Sequence, residues 1–201
     1  MQSIENKALS RIHGHGRGWV FTPVHFSDLG NSESVRKALQ SLVSRGAIRR
    51  ISRGLYDYPS RHPKLGELAA TPEQIAKALA GKEHAKLQPT GAYAANLLGL
   101  SLQVPAKVEF LTDGRSRTVK VGNQTIKLKQ TTPKNMAAAD RITGLIIQAL
   151  RFIGRDNVNS SVISKLAERL SAEDRQTLIR DIKLAPAWIA DVFRTLAELE
   201  K

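Results

Sequence analysis

Arg49, Arg50 and Arg53 fall within five residues of one another beside an Arg53-Gly54 pair, and the stretch before them carries Arg36, Lys37, Gln40, Ser41, Ser44 and Arg45 at helical spacing. Arginine on a tight hairpin can neutralise phosphate or enter a narrow minor groove. Glutamine pairs bidentately with adenine, and lysine reads guanine or holds a phosphate, so this helix face has the side chains for reading base edges in a major groove. The same face also fits an ordinary solvated helix surface, and a charged edge hairpin can serve to block aggregation. That second device favours lysine and needs no adjacent helix, so the pairing of the two elements points to nucleic acid.

Other chemistry finds little to build on. His13-Gly14-His15 has two imidazoles, but the chain has no cysteine and no carboxylate cluster nearby, whereas a metal usually takes three or four ligands. Zinc-thiolate sites, disulfides and thiol catalysis are excluded outright. There is no phosphate loop, paired-glycine nucleotide fingerprint, nucleophile elbow or HExxH. The expectation is therefore a protein that is not an enzyme, with no catalytic residue, no metal and no cofactor.

The elements that must position the basic residues follow from caps and periodicity. Ser3 caps a first helix carrying Ile4, Ala8, Leu9 and Ile12, which the glycines after His13 end. Trp19-Val20-Phe21 is a short strand, Thr22-Pro23 starts a short helix to Leu29, and Gly30-Asn31 is a turn. Ser32 then caps a third helix to about Arg45, with Val35, Ala38, Leu39 and Leu42 on its apolar face. Gly46 closes it, and Ala47 to Tyr58 is a hairpin with Arg53-Gly54 at its tip. Helix, strand, helix, turn, helix, hairpin is the order of a winged helix-turn-helix, in which the third helix is the reading element.

Beyond this module, the predicted division falls at residue 62. Thr71 to Gln74 is a capping box opening a helix that Gly81 ends, and 90–98 is another short helix. Strands at 107–112, 118–121 and 124–131 are expected to form a three-stranded antiparallel meander whose wet face bears Lys120, Lys127 and Lys129. From Ala137 the pattern is helical, with breaks at Gly154, Ser171 and Ala185-Pro186. The fold class is α+β: a winged helix over 1–62, then a domain over 63–201 made of helices plus meander (63–136) and C-terminal helices (137–201).

Charge agrees with this layout. The chain carries 31 Lys+Arg against 18 Asp+Glu, a net +13. Residues 1–62 hold +6, residues 63–136 hold +6, and residues 137–201 only +1. A polyanionic partner suits the first two segments, while the last suits packing, protein contact or a homodimer surface. With no signal-like N-terminus and no apolar run approaching the roughly 20 residues of a bilayer span, the chain reads as cytoplasmic with no membrane partner.

Val20-Phe21-Thr22-Pro23, Ser34-Val35-Arg36-Lys37-Ala38-Leu39 with Leu42 to Gly46, and the run Arg50 to Tyr56 resemble the winged-helix half of AbiE-type antitoxins of bacterial type IV toxin-antitoxin systems, which act in abortive infection. Pro89 to Leu100, Val104 to Lys107 and Leu111 to Gly114 look like the second domain of that family. The resemblance covers roughly residues 4–132 and leaves residues 137–201 without a matching motif. It implies an autorepressor that binds repeats in its own promoter through Arg36, Lys37, Arg49, Arg50 and Arg53. It also implies an antitoxin that neutralises a nucleotidyltransferase-like toxin without requiring a stable complex. The alternative is a winged-helix regulator whose second domain senses a ligand or partner and has no antitoxin role.

Overall fold

The computed structural model describes residues 3–81 and 85–199. Helix α1 (Ile4–His15) begins where the Ser3 side chain accepts a hydrogen bond from the Asn6 amide, and ends at Gly16 with φ 82°. His13 and His15 therefore belong to the helix: His13 packs against Tyr58, and His15 stacks on Trp19 with ring centroids 3.8 Å apart. Strand β1 (Trp19–Phe21) leads into a 3-10 turn over Pro23–Phe26, shorter than the helix expected to reach Leu29. Helix α2 (Ser32–Ser44) is capped by Asn31, not Ser32, because the Asn31 side chain takes the Ser34 amide at 2.8 Å.

Strands β2 (Arg49–Ser52) and β3 (Leu55–Tyr58) form the expected hairpin, and β3 also pairs with β1, giving a three-stranded antiparallel sheet in the order β1-β3-β2. Helix α2 lays Val35, Leu39 and Leu42 into a core with Ala8, Ile12, Phe21, Phe26, Ile48 and Tyr56. Each buried valine, leucine, isoleucine or phenylalanine there contributes roughly 1.5–3 kcal/mol relative to exposure. A two-stranded ribbon, β4 (Arg61–His62) and β5 (Gly66–Glu67), precedes α3 (Pro72–Ala80). The Thr71–Gln74 capping box opens α3, and α3 packs against β1.

Downstream, β6 (Leu87–Thr90), α4 (Gly91–Leu97), β7 (Lys107–Thr112), β8 (Arg117–Val121) and β9 (Gln124–Gln130) follow. Their sheet runs β6-β7-β9-β8. This corrects the meander: there is a fourth strand, and β9 inserts between β7 and β8, so consecutive strands are not always neighbours. The added strand β6 contains Pro89, which breaks the alternation by which strands announce themselves. The remaining helices are α5 (Pro133–Met136), α6 (Ile142–Ile153), α7 (Ser160–Arg169), α8 (Ala172–Arg180) and α9 (Ala187–Glu198). The breaks fall where expected, with the Ser171–Asp174 box opening α8.

The chain divides into two compact units, one of Met1–Ala85 with Arg117–Ile126 and one of Lys86–Ser116 with Lys127–Lys201. The second has its own core, in which α4 packs on α6 and Ile146, Leu150, Leu166, Leu178, Ile189 and Phe193 are sealed from solvent. It also holds a part-buried polar pair, with the Thr90 hydroxyl donating to the Gln148 amide oxygen at 2.8 Å.

Candidate nucleic-acid interface

Residues four apart on a helix share a face, and Arg36, Gln40 and Ser44 stand in such a row along α2. The apolar residues Val35 and Val43 edge the same row, so the helix shows a polar ridge with an aliphatic border. That ridge opens on a cleft of 1360 Å³ within the first unit. The 3-10 turn contributes Pro23, Val24 and Ser27, and the hairpin contributes Arg50, Arg53, Gly54, Leu55 and Tyr56. Leu79 of α3 and Arg117, Thr118 and Val119 of β8 complete the wall. Gly54, at φ 70°, permits the tight turn that puts Arg53 at the hairpin tip.

The charge balance of this cleft is one-sided. Four arginines line it, Arg36, Arg50, Arg53 and Arg117, and no Asp or Glu does. All four are exposed, and none has an ion pair or side-chain hydrogen bond among the described residues. Neutral donors and acceptors, Ser27, Asn31, Ser32, Gln40, Ser44 and Thr118, are distributed along it. A surface of unpaired guanidiniums and small polar groups, spread over several elements, matches the contacts that proteins make to phosphate and sugar.

The other sequence-predicted residues have different surroundings. Lys37 lies off the cleft and pairs with Glu33 at 2.8 Å, both side chains about three-quarters exposed, a contact that solvent and salt readily exchange. Ser41 is half-buried outside the cleft. Arg45 is ion-paired with Glu5 and so ties the end of α2 to α1.

Arg49 is held most firmly. Its Nε donates to Asp57 Oδ1 at 3.0 Å, and a terminal nitrogen reaches Asp57 Oδ2 at 2.6 Å and the Leu68 carbonyl at 2.8 Å. Asp57 is only 2% exposed. The hydrogen bonds that Arg49 donates to Asp57 raise the Arg49 pKa above its ordinary value against the opposing effect of desolvation, with the charges of Asp57 and Glu67 adding to it.

In the second unit, part of the lysine stripe turns on an acid. Lys107 sits 3.0 Å and Lys127 3.7 Å from the Glu109 carboxylate. The Lys107 hydrogen bond lowers the pKa of Glu109 despite desolvation, and the charges of Lys107, Lys127 and Lys129 lower it further. Lys127 is thus partly neutralised and Lys129 remains exposed, whereas Lys120, also exposed, belongs to the first unit.

A model of a protein family, DUF6088, described as a family of unknown function, matches residues 7–178. The chain belongs to the DUF6088 family. No curated protein matches it at a significant level. The match in this DUF6088 protein takes in both the α2–hairpin cleft and most of the second unit's core. Among the described residues, no group of three His, Cys, Asp or Glu side chains is gathered to hold a metal, and no helix is long and apolar enough to cross a membrane.

Arg117 is the one arginine of the cleft that is not among the candidate residues predicted from sequence. A signal for it exists: between Asp113 and Asp140 there are six Lys or Arg and no acid. What no local pattern discloses is which compact unit the strand joins.

Proposed function

We propose that the first unit of this DUF6088 protein is a winged helix-turn-helix that binds duplex DNA, with α2 entering the major groove and the β2–β3 hairpin acting as the wing. The supporting observation is the cleft that gathers Arg36, Gln40, Ser44, Arg50 and Arg53, with no carboxylate in its wall. A helix of this kind fits the major groove, and the arginines beside it supply the phosphate neutralisation that dominates affinity. The resemblance to AbiE-type antitoxins extends the proposal: the chain represses its own operon by binding promoter repeats, two copies reading two half-sites. It also counters a nucleotidyltransferase-like toxin encoded beside it, without a stable complex being required. No residue is assigned a catalytic role.

Fluorescence anisotropy with the full chain and a duplex of its own upstream region tests the DNA reading. Selective binding over a scrambled duplex is expected, with log affinity falling against log salt at a slope of about −2.7 if three phosphates are neutralised. Gln40→Ala should cost about 1–3 kcal/mol and relax preference at one base position, whereas Arg53→Ala should weaken all sequences evenly. A flat salt response removes the DNA reading. Co-expression with the product of an adjoining nucleotidyltransferase-like gene tests the antitoxin role, and toxicity undiminished by soluble, folded chain would remove it.

A further inference from the structure

We infer that strand β8 is a third nucleic-acid contact of the first unit, in which Arg117 grips one sugar-phosphate strand of a duplex whose groove is occupied by α2. This deepens the DNA-binding reading and rests on it.

The helix and the hairpin account for three of the four unpaired arginines in the cleft, and Arg117 is the fourth. It comes from a distant part of the chain, yet Arg117–Ile126 belongs to the same compact unit as α2 and the hairpin, and β8 lies beside β2. Within the wall it is followed by Thr118, whose exposed hydroxyl is a neutral partner for a phosphate oxygen. An arginine present only to support the fold would be expected to have found a carboxylate, as Arg49 finds Asp57 and Arg11 finds Asp28. Arg117 has no such partner among the described residues and stands exposed beside three like charges. Like charges held around one concavity repel unless an anion enters, and that repulsion is relieved by a polyanion spanning the elements. A small anion would need the guanidiniums to converge. These are spread over α2, the hairpin and β8, with polar groups between them, which suits a phosphodiester strand.

The experiment compares full-length wild type, Arg53→Ala, Arg117→Ala and Arg117→Lys on the promoter duplex across salt, with circular dichroism to establish that each variant is folded. Arg117→Ala should weaken all duplex sequences and make the salt slope about one contact shallower, so that the affinity lost between about 50 and 200 mM salt shrinks roughly threefold. Arg117→Lys should keep the slope, since the charge remains. Wild-type affinity and slope in Arg117→Ala, with Arg53→Ala still impaired, overturn the β8 contact and leave the DNA reading standing. No binding by wild type removes that reading and the β8 contact together. If Arg117→Ala does not fold, hydroxyl-radical footprints decide: Arg117→Lys and wild type must protect one more backbone segment than α2 and the wing can cover, and a footprint without it overturns the inference.

Discussion

Arg49 and Arg50 are neighbours in sequence with opposite surroundings. Successive residues of a strand point to opposite faces, so a run of arginines on a hairpin cannot all meet one partner. Arg50 and Arg53 reach the cleft, while Arg49 closes on Asp57. Removing one member of a buried pair leaves an uncompensated charge, typically at a cost of about 3–5 kcal/mol. The Arg49 side chain is one-third exposed, which reduces that cost. Arg49→Ala should therefore lower stability to urea by about 2–3 kcal/mol and leave the salt slope of DNA binding unchanged. An undisturbed urea midpoint together with lost DNA binding would return Arg49 to the interface. The chemistry of the nine candidate residues was legible as composition, whereas their sorting was not. The strand alternation alone separates Arg49 from Arg50, but nothing local pairs Arg45 with Glu5 or Arg49 with Asp57, contacts made 40 and 8 residues apart.

Among the elements, α6 shows where propensity and packing disagree. Gly144 lies in its first turn, where alanine would be favoured by up to about 1 kcal/mol on helix propensity. Yet a Cβ at this position would collide with the Ala138 carbonyl oxygen and the Gln88 amide oxygen. The first is backbone. The second belongs to a side chain 2% exposed whose oxygen has no hydrogen-bond partner among the described residues, so neither yields easily. Overpacking of this kind typically costs about 1–3 kcal/mol. Packing should prevail: Gly144→Ala is expected to lower the thermal midpoint, and a raised midpoint would mean that α6 shifts freely off β6. Most helices could be read from sequence because their signals are local: the Thr71 and Ser171 caps, the glycines at 16 and 81, and the apolar stripe of α2. The order β6-β7-β9-β8 could not be read, because alternation identifies a strand and one wet face but leaves its neighbours undetermined.

For the molecule as a whole, the discontinuity of the first unit determines how two proposed activities can be separated. Arg117–Ile126 rejoins Met1–Ala85 after the chain has passed through α4 and β7, so no single cut releases this unit intact. Surface substitution in the full chain avoids that difficulty. Arg36 and Arg53 are exposed, line the cleft and are not members of the second unit's core, whose buried residues run from Ala94 to Leu196. Replacing both with alanine should leave both cores folded and remove two phosphate contacts, making the salt slope shallower by about 1.8. Promoter repression should then fail. Protection against the co-expressed toxin should persist, because the segments resembling the antitoxin domain, Pro89 to Leu100 and Leu111 to Gly114, are untouched. The measurement needs the variant expressed from an unrelated promoter at wild-type abundance, since derepression would otherwise raise the dose of both proteins. Repression lost with protection intact supports two separable activities. Loss of both from folded protein at equal abundance would mean that protection itself works through the DNA-binding cleft, and the proposed division of labour between the units would have to be given up.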